Sequence, residues 1–204
     1  VIRTTQNGMG MNGMGMNADR RPLMGACAVT IIAEHGPRAL THRAVDAAMG
    51  IPQGSTSYYF RTRESLLAAA VQHIVEQSQS TFAELLNDNS DPATVIARYL
   101  GDLLTRRRDE LIARYALLLE IRSNRELHDA LAQSLFSTAR AQEIFAGHRV
   151  KNPESAASDL VSLLEGLIFD RCIGSRSTPT HHAEPAESIL QLRIPIAAYL
   201  RSVK

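Results

Sequence analysis

The sequence predicts an all-α protein, and three observations carry that expectation. Leu, Ala, Ile and Arg dominate the chain, and its apolar residues recur at intervals of three and four. Runs of β-branched residues with period-two alternation are missing. Helix-start signatures such as Asp91-Pro92 and Asn152-Pro153 recur along the chain, a capping residue followed by a first-turn proline. The 204 residues are 45% hydrophobic and 21% charged, enough for one packed unit or two small ones.

Residues 1–17 are low in complexity, with the echo Gly8-Met9-Gly10-Met11 and Gly13-Met14-Gly15-Met16, and read as a disordered arm or an upstream start-site extension. A first helix is expected from about Ala18 to His35, with Leu23, Cys27 and Ile31 at i, i+4 and i+8, and Gly36-Pro37 ends it. Thr41 caps a short second helix, His42 to Met49, whose Val45, Ala48 and Met49 form an apolar face. Gly50 suits a left-handed exit, and Pro52 opens a third helix to Tyr59. Thr62 caps a long fourth helix, Arg63 to Leu86.

Beyond it, Asp91-Pro92 opens a helix to about Arg107, and Asp109 precedes one from Glu110 to Arg122. The capping box Ser123-Asn124-Arg125-Glu126 opens one to about Ala146, and Asn152-Pro153 one to about Ile173. A loop from Gly174 to Glu184 leads to a last helix, Pro185 to Val203, expected to bend near Pro195. Nine helices and no convincing strand result.

Several function classes are disfavoured. No stretch reaches the roughly 18 apolar residues of a membrane helix, and no charged-then-apolar signal pattern opens the chain, so a cytoplasmic protein without a membrane partner is expected. Cys27 and Cys172 sit in apolar helical patterns and read as reduced core thiols. The histidines at 35, 42, 73, 128, 148, 181 and 182 lack metal-site spacing, with His181-His182 at most an adventitious pair. No phosphate loop or nucleophile elbow is present, so no catalytic residue, metal or cofactor is assigned.

Charge is unevenly distributed although the chain's formal net charge is only +1. Residues 17–63 carry six arginines against Asp19, Glu34 and Asp46, and the remainder after residue 63 is net acidic. A basic head on an acidic body suits a protein that meets nucleic acid at one end.

The second helix, Gly50 and the third helix form the informative constellation. Two short helices joined through a glycine turn cross steeply, and the second can enter a major groove about 12 Å wide. Gln53, Ser55 and Thr56 are candidates for base edges, and Gly54 permits close backbone approach. Tyr58 and Tyr59 offer hydroxyls to phosphate, while Arg61 and Arg63 neutralise it. Thr41 and Arg43 sit where the second helix begins and suit flanking phosphates; His42 either joins them or is simply solvated. Asp46 is placed on the exposed side of its helix, orienting an arginine such as Arg43. Phe60, Leu66 and Leu67 belong to the core that joins this unit to the fourth helix. On pattern alone, a plain helical hairpin whose tyrosines pack remains an equal alternative.

From about Leu23 to Leu67 the chain resembles the DNA-binding domain of the TetR (tetracycline-repressor) family of bacterial regulators. The matching residues are Gly36, Leu40-Thr41, Val45, Ala47, Gly50, Ile51, Gly54, Tyr58, Phe60, Arg63, Glu64, Leu66 and Leu67. The chain departs from the usual pattern at Ser57, where a tyrosine is usual, at Tyr59, where histidine is frequent, and at Arg63, where lysine is usual.

The resemblance implies a DNA-binding unit over residues 18–62 and a ligand-binding and dimerisation unit over 63–204. It implies that the Pro153 helix, through Leu160, Leu164, Leu167 and Ile168, pairs with the last helix, through Ile189, Ile196 and Leu200, and with their copies in a four-helix homodimer interface. It also implies a small-molecule cavity among the middle helices, lined by Tyr99, Leu103, Tyr115, Leu118, Phe136 and Phe169, with Arg114 or Gln133 as polar anchors. The expected function is that of a repressor released from a pseudo-palindromic double-stranded DNA operator by a small-molecule effector. An activator or partner-controlled regulator of the same fold stays open, as does an all-helical enzyme, which would need an acid, base or metal set.

Overall fold

The computed structural model describes residues 19–85, 90–145, 150–177 and 185–203, and every regular element among them is helical. The low-complexity arm and the His181-His182 pair lie outside the described residues. Helix α1 (Arg21–His35) turns Met24, Ala28 and Ile32 inward and lies against α4 (Arg63–Leu85) and α6 (Arg108–Glu120). Of the expected stripe Ile31 is buried, but Leu23 is exposed and Cys27 half-buried, because α1 is covered on two sides by helices that meet Met24, Gly25 and Ala28. Gly25 sets the closeness of that packing. A Cβ there would stand 2.9 Å from the Ala69 carbonyl oxygen of α4.

A short 3₁₀ turn, Pro37–Ala39, leads to α2 (His42–Ala48) and α3 (Ser55–Tyr59). Thr41 caps α2 as expected, its hydroxyl accepting from the Ala44 N–H at 3.1 Å. Val45 is fully buried and Met49 half-buried, but Ala48 is exposed, so the inner face of α2 is narrower than its spacing suggests. Gly50 has φ 62° and carries the chain out of α2 in the left-handed region, as the sequence requires.

Helix α5 (Pro92–Leu104) packs on α10 (Pro185–Ser202), which keeps Pro195 inside it, and α9 (Pro153–Cys172) packs on α8 (Thr138–Phe145). The expected single helix from Ser123 to Ala146 is two, α7 (Arg125–Ala132) and α8, which brings the described helices to ten. Serines divide them. The Ser134 hydroxyl turns back to the Leu131 carbonyl at 2.7 Å, Ser78 of α4 donates to the Ser134 carbonyl, and Tyr99 of α5 donates to the Leu135 carbonyl at 2.7 Å. With those carbonyls held by side chains from other helices, the segment is tied outside the regular helical ladder. One apolar core runs through the protein, from Met24 and Ile32 through Leu100 and Leu117 to Leu160 and Ile196.

Candidate nucleic-acid interface and interior cavity

One buried carboxylate organises the α2–α3 unit. Asp46 is 3% exposed and points inward at the start of α3. Its Oδ2 accepts from the Gly54 N–H at 2.7 Å, and its Oδ1 accepts from the Thr56 N–H at 2.8 Å and the Thr56 hydroxyl at 2.6 Å. Burial alone would raise the carboxyl's pKa, but these donors and the charge of His42 outweigh it and hold it below the ordinary carboxylate value. The expectation of an exposed Asp46 steering Arg43 is therefore corrected. The residue supplies from α2 the capping oxygens that the start of α3 lacks, since its N-cap is Gly54.

That arrangement sorts the candidate DNA-contacting residues. Thr56 is fully buried on Asp46 and cannot face a base, which removes it from the predicted set. Ser57 and Tyr58 follow it around the helix and are exposed, Tyr58 at 83%. Gln53 and Gly54 are exposed but lie in the turn before α3, not within it as expected. Gly54 is needed for its φ of 94°, a conformation costly to any residue with a Cβ. Ser55 is half-buried, and its hydroxyl donates to the Pro52 carbonyl at 2.6 Å. Thr41, Arg43 and Arg61 are exposed as candidates should be.

Two further candidates are tied inside the protein. His42 donates from Nε2 to the Phe60 carbonyl at 2.6 Å, pinning the start of α2 to the end of α3 rather than standing in solvent. Arg63 donates to the Pro37 carbonyl at 2.8 Å and pairs with Glu120 of α6 at 3.0 Å, so its guanidinium is engaged before any phosphate arrives. Tyr59 is half-buried, edge-on to Tyr58 and beneath the Arg21 guanidinium at 5.6 Å. Sequence reasoning missed the exposure of Ser57 and the role of Asp46. Fixing Thr56 inward would have shown that residue 57, about 100° further round, turns outward.

In the body, a cavity of about 330 Å³ opens between α4, α5, α8 and α9. Phe82, Val95, Ile96, Tyr99, Phe136, Ile144 and Leu164 line it, with Arg140 and Glu143 among its few charged groups. Of the expected ligand residues, Tyr99 and Phe136 line this cavity. Burial pushes the Tyr99 phenol up to about 12, so it stays protonated and its hydrogen goes to the Leu135 carbonyl.

The others are placed elsewhere. Leu103 is fully buried in the core, Leu118 is half-buried on α6, and Gln133 is exposed beside a separate hollow. Arg114, the expected anchor, is 2% exposed and held by its own chain. It pairs with Glu165 at 2.6 and 3.2 Å, donates to the Leu131 and Ala132 carbonyls, and stacks near the rings of Tyr115 and Phe136. A guanidinium buried among apolar side chains needs such partners, and four of its five N–H donors are committed to them. Tyr115 donates to Glu165 at 2.9 Å; burial first, then that carboxylate's charge, raise its pKa. Phe169 meets Tyr115 edge-on and is 46% exposed on the outer face of α9.

The expected interface residues divide likewise. Leu160, Leu164, Ile168 and Ile196 are buried inside the single chain, while Leu167, Ile189 and Leu200 are half-buried. An α-helix as apolar as α9 has two buried-type stripes, and the stripe assigned to the dimer is the inner one. The outward stripe carries Gly166, Phe169 and Ile173, with Leu190 and Ile194 exposed on α10. Both cysteines are free thiols, and burial raises the pKa of each. Among the described residues no helix is long and apolar enough to cross a membrane.

Comparison with known proteins gives a consistent family. A structure of a TetR-family member from Streptomyces coelicolor A3 is 24% identical, with 86% of this chain matched to 96% of that one at a TM-score of 0.64. A regulator from Saccharomonospora viridis, solved with choline, is 18% identical over 90% of this chain and 96% of its own, with a TM-score of 0.70. The multidrug binding protein EbrR, solved with ethidium, is 24% identical over 86% and 97% of the two chains, with a TM-score of 0.59. No curated protein sequence matches. The model of the family described as tetracyclin repressor-like, C-terminal domain, matches residues 87–192, just over half of the chain. With this match over the body and the helix-turn-helix that precedes it, the chain belongs to the tetracycline-repressor-like family of transcriptional regulators.

Proposed function

We propose that the protein is a sequence-specific DNA-binding repressor, dimeric on its operator and released by a small molecule. The observation that carries the DNA-binding reading is the exposed run of Gln53, Ser57 and Tyr58 on a helix-turn-helix that Asp46 holds rigid from behind. Gln53 and Ser57 read base edges, Tyr58, Arg43 and Arg61 hold phosphates, and the Thr41 hydroxyl and nearby N–H groups fix register. Two copies joined through the outward stripe of α9 and α10 set their recognition helices about 34–36 Å apart, one turn of DNA. Phe169, Ile173, Leu190 and Ile194, exposed in the single chain, are the residues such pairing would cover.

The cavity is the effector site in this reading. It is bounded by Phe82 near the end of α4, the helix whose first turn carries Arg63, so a guest bears on the rod that sets the head's position. An effector releases DNA only if it fits the non-binding spacing better than the binding one.

Selection from random duplex DNA, followed by titration of the winning site at several salt concentrations, tests the proposal. Gln53→Ala is expected to relax preference at particular base pairs by about 1–3 kcal/mol. Arg61→Ala should weaken all sequences alike and lower the salt slope by about one. Equal loss on every operator variant with Gln53→Ala would remove its reading role, and indifference to all duplexes at low salt would end the proposal.

A further inference from the structure

The chemistry around the cavity distinguishes among effector classes, and we infer that it takes an amphipathic carboxylate, with the apolar body inside and the carboxylate on Arg140. The inference rests on the reading of this cavity as the effector site and goes further by naming the anchor and the charge it accepts.

Among the ionisable side chains that line the cavity, Tyr99 is a protonated phenol committed to the Leu135 carbonyl, which leaves Arg140 and Glu143. Those two form a loose pair. One guanidinium nitrogen stands 3.3 and 3.4 Å from the two carboxylate oxygens, and the side chains are 46% and 56% exposed. Close charge-assisted bonds lie nearer 2.7–2.9 Å, so this pair is readily exchanged for a better partner. The arginines deeper in the body are different. Arg107 and Arg114 are held at 2.7 and 2.6 Å by Glu110 and Glu165 and are 10% and 2% exposed. They are structural, and among the described residues that line the cavity Arg140 is the cation.

Three observations favour the arginine over Glu143 as the anchor. Arg140 also lines the adjoining hollow beside Gln133 and Ser137, so it serves both spaces, whereas Glu143 lines only the first. The Ser137 hydroxyl on the cavity wall accepts from the Arg140 N–H and can turn its own hydrogen toward an anion beside that guanidinium. Organic cations are held by open aromatic faces with a carboxylate behind them, and here the Phe136 ring already carries the Arg114 guanidinium at 5.3 Å. The cavity's volume lies at the small end of the roughly 300–1,000 Å³ range for such sites, and its walls are mostly apolar, which suits a compact tail. The ethidium and choline carried by the solved relatives are cations, so this chain is expected to differ from them in ligand charge.

Three probes with one tail separate the possibilities: decanoate, decan-1-ol and decyltrimethylammonium, each below its micellar concentration, competing with N-phenyl-1-naphthylamine on the full chain. Decanoate is expected to bind about tenfold or more tighter than the ammonium, with the alcohol between them. Arg140→Gln should erase the advantage of decanoate over decanol, and Arg140→Glu should reverse the order of the two charged probes. Circular dichroism checks that both variants, which alter an exposed side chain, keep their helices. An ammonium that binds as tightly as decanoate, or a decanoate preference that survives Arg140→Gln, overturns the inference while leaving the effector site standing. If no probe competes, or if Val161→Trp, which fills the cavity, leaves binding unchanged, the effector-site reading itself fails.

Discussion

The head and the body of this protein bury charge in opposite ways. In the head a single acid, Asp46, is satisfied by donors only eight and ten residues further along the chain. In the body a single base, Arg114, is satisfied by carbonyls 17 and 18 residues away and by a carboxylate 51 residues away. The head's network closes within two short helices and makes one rigid unit of them. The body's network needs α6, α7 and α9 assembled before it exists, so its charge is an index of correct packing. A local network can be transplanted among related proteins with its fold intact; a dispersed one ties the body's sequence to its own packing.

The largest expected effect breaks the body. Arg114→Ala leaves Glu165 without its opposite charge and the Leu131 and Ala132 carbonyls each short of one donor, and opens a void under Phe136, at a cost of about 3–5 kcal/mol by chemical denaturation. Near-normal stability would mean that the body does not depend on its dispersed network.

Asp46→Ala breaks the head instead, and a cost of about 2–4 kcal/mol is expected because the Gly54 and Thr56 donors lose their acceptor. Operator binding should go with it. The carboxyl's folded pKa is depressed, so its contribution is complete above its unfolded value near 4 and fades as pH falls through the folded value. Hydrogen exchange at the Gly54 and Thr56 amides is expected to accelerate in that acid window, and protection that persists there would contradict the role given to Asp46.

The smallest effect tests the join between the two regions. Arg63 and Glu120 are about one-third exposed, so Glu120→Gln should change stability by under about 1 kcal/mol. By releasing Arg63 from its acidic partner, however, it should strengthen binding to all duplexes and steepen the salt dependence by about one. An unchanged slope would leave Arg63 as a purely structural contact.

The head was largely legible from the sequence because its signals are local. Thr41, Gly50 and Thr62 each act within a turn of their own position, and the core of Val45, Phe60 and Leu66 is drawn from one short stretch of the chain. What escaped was the facing of Asp46 and Thr56, since a polar residue on a short helix reads as exposed until its partner is known. In the body, helix starts at Asp91 and Asn152 were legible as caps, while the capping box read from Ser123 gives way to Asn124, whose side chain accepts from the Leu127 N–H. The division of α7 from α8 was not, because its causes, Ser78 and Tyr99, lie 56 and 36 residues upstream of the carbonyls they hold. The same distance hid the inner and outer stripes of α9, whose periodicity gives two apolar sides without saying which one meets the chain's own core.

The clamp at the α7–α8 break has a mechanical consequence. Ser78 grips the backbone there from within α4, a rod of 23 residues and therefore about 34 Å long. Leu135 and Phe136, in the clamped strip, also wall the cavity. Swelling of the wall has two outlets: the Ser78 latch opens, or the rod swings with it and Arg63 at its far end moves against Pro37. Under the proposed function, that serine hydroxyl in mid-helix is the tow-hook between an occupied interior and the α2–α3 unit.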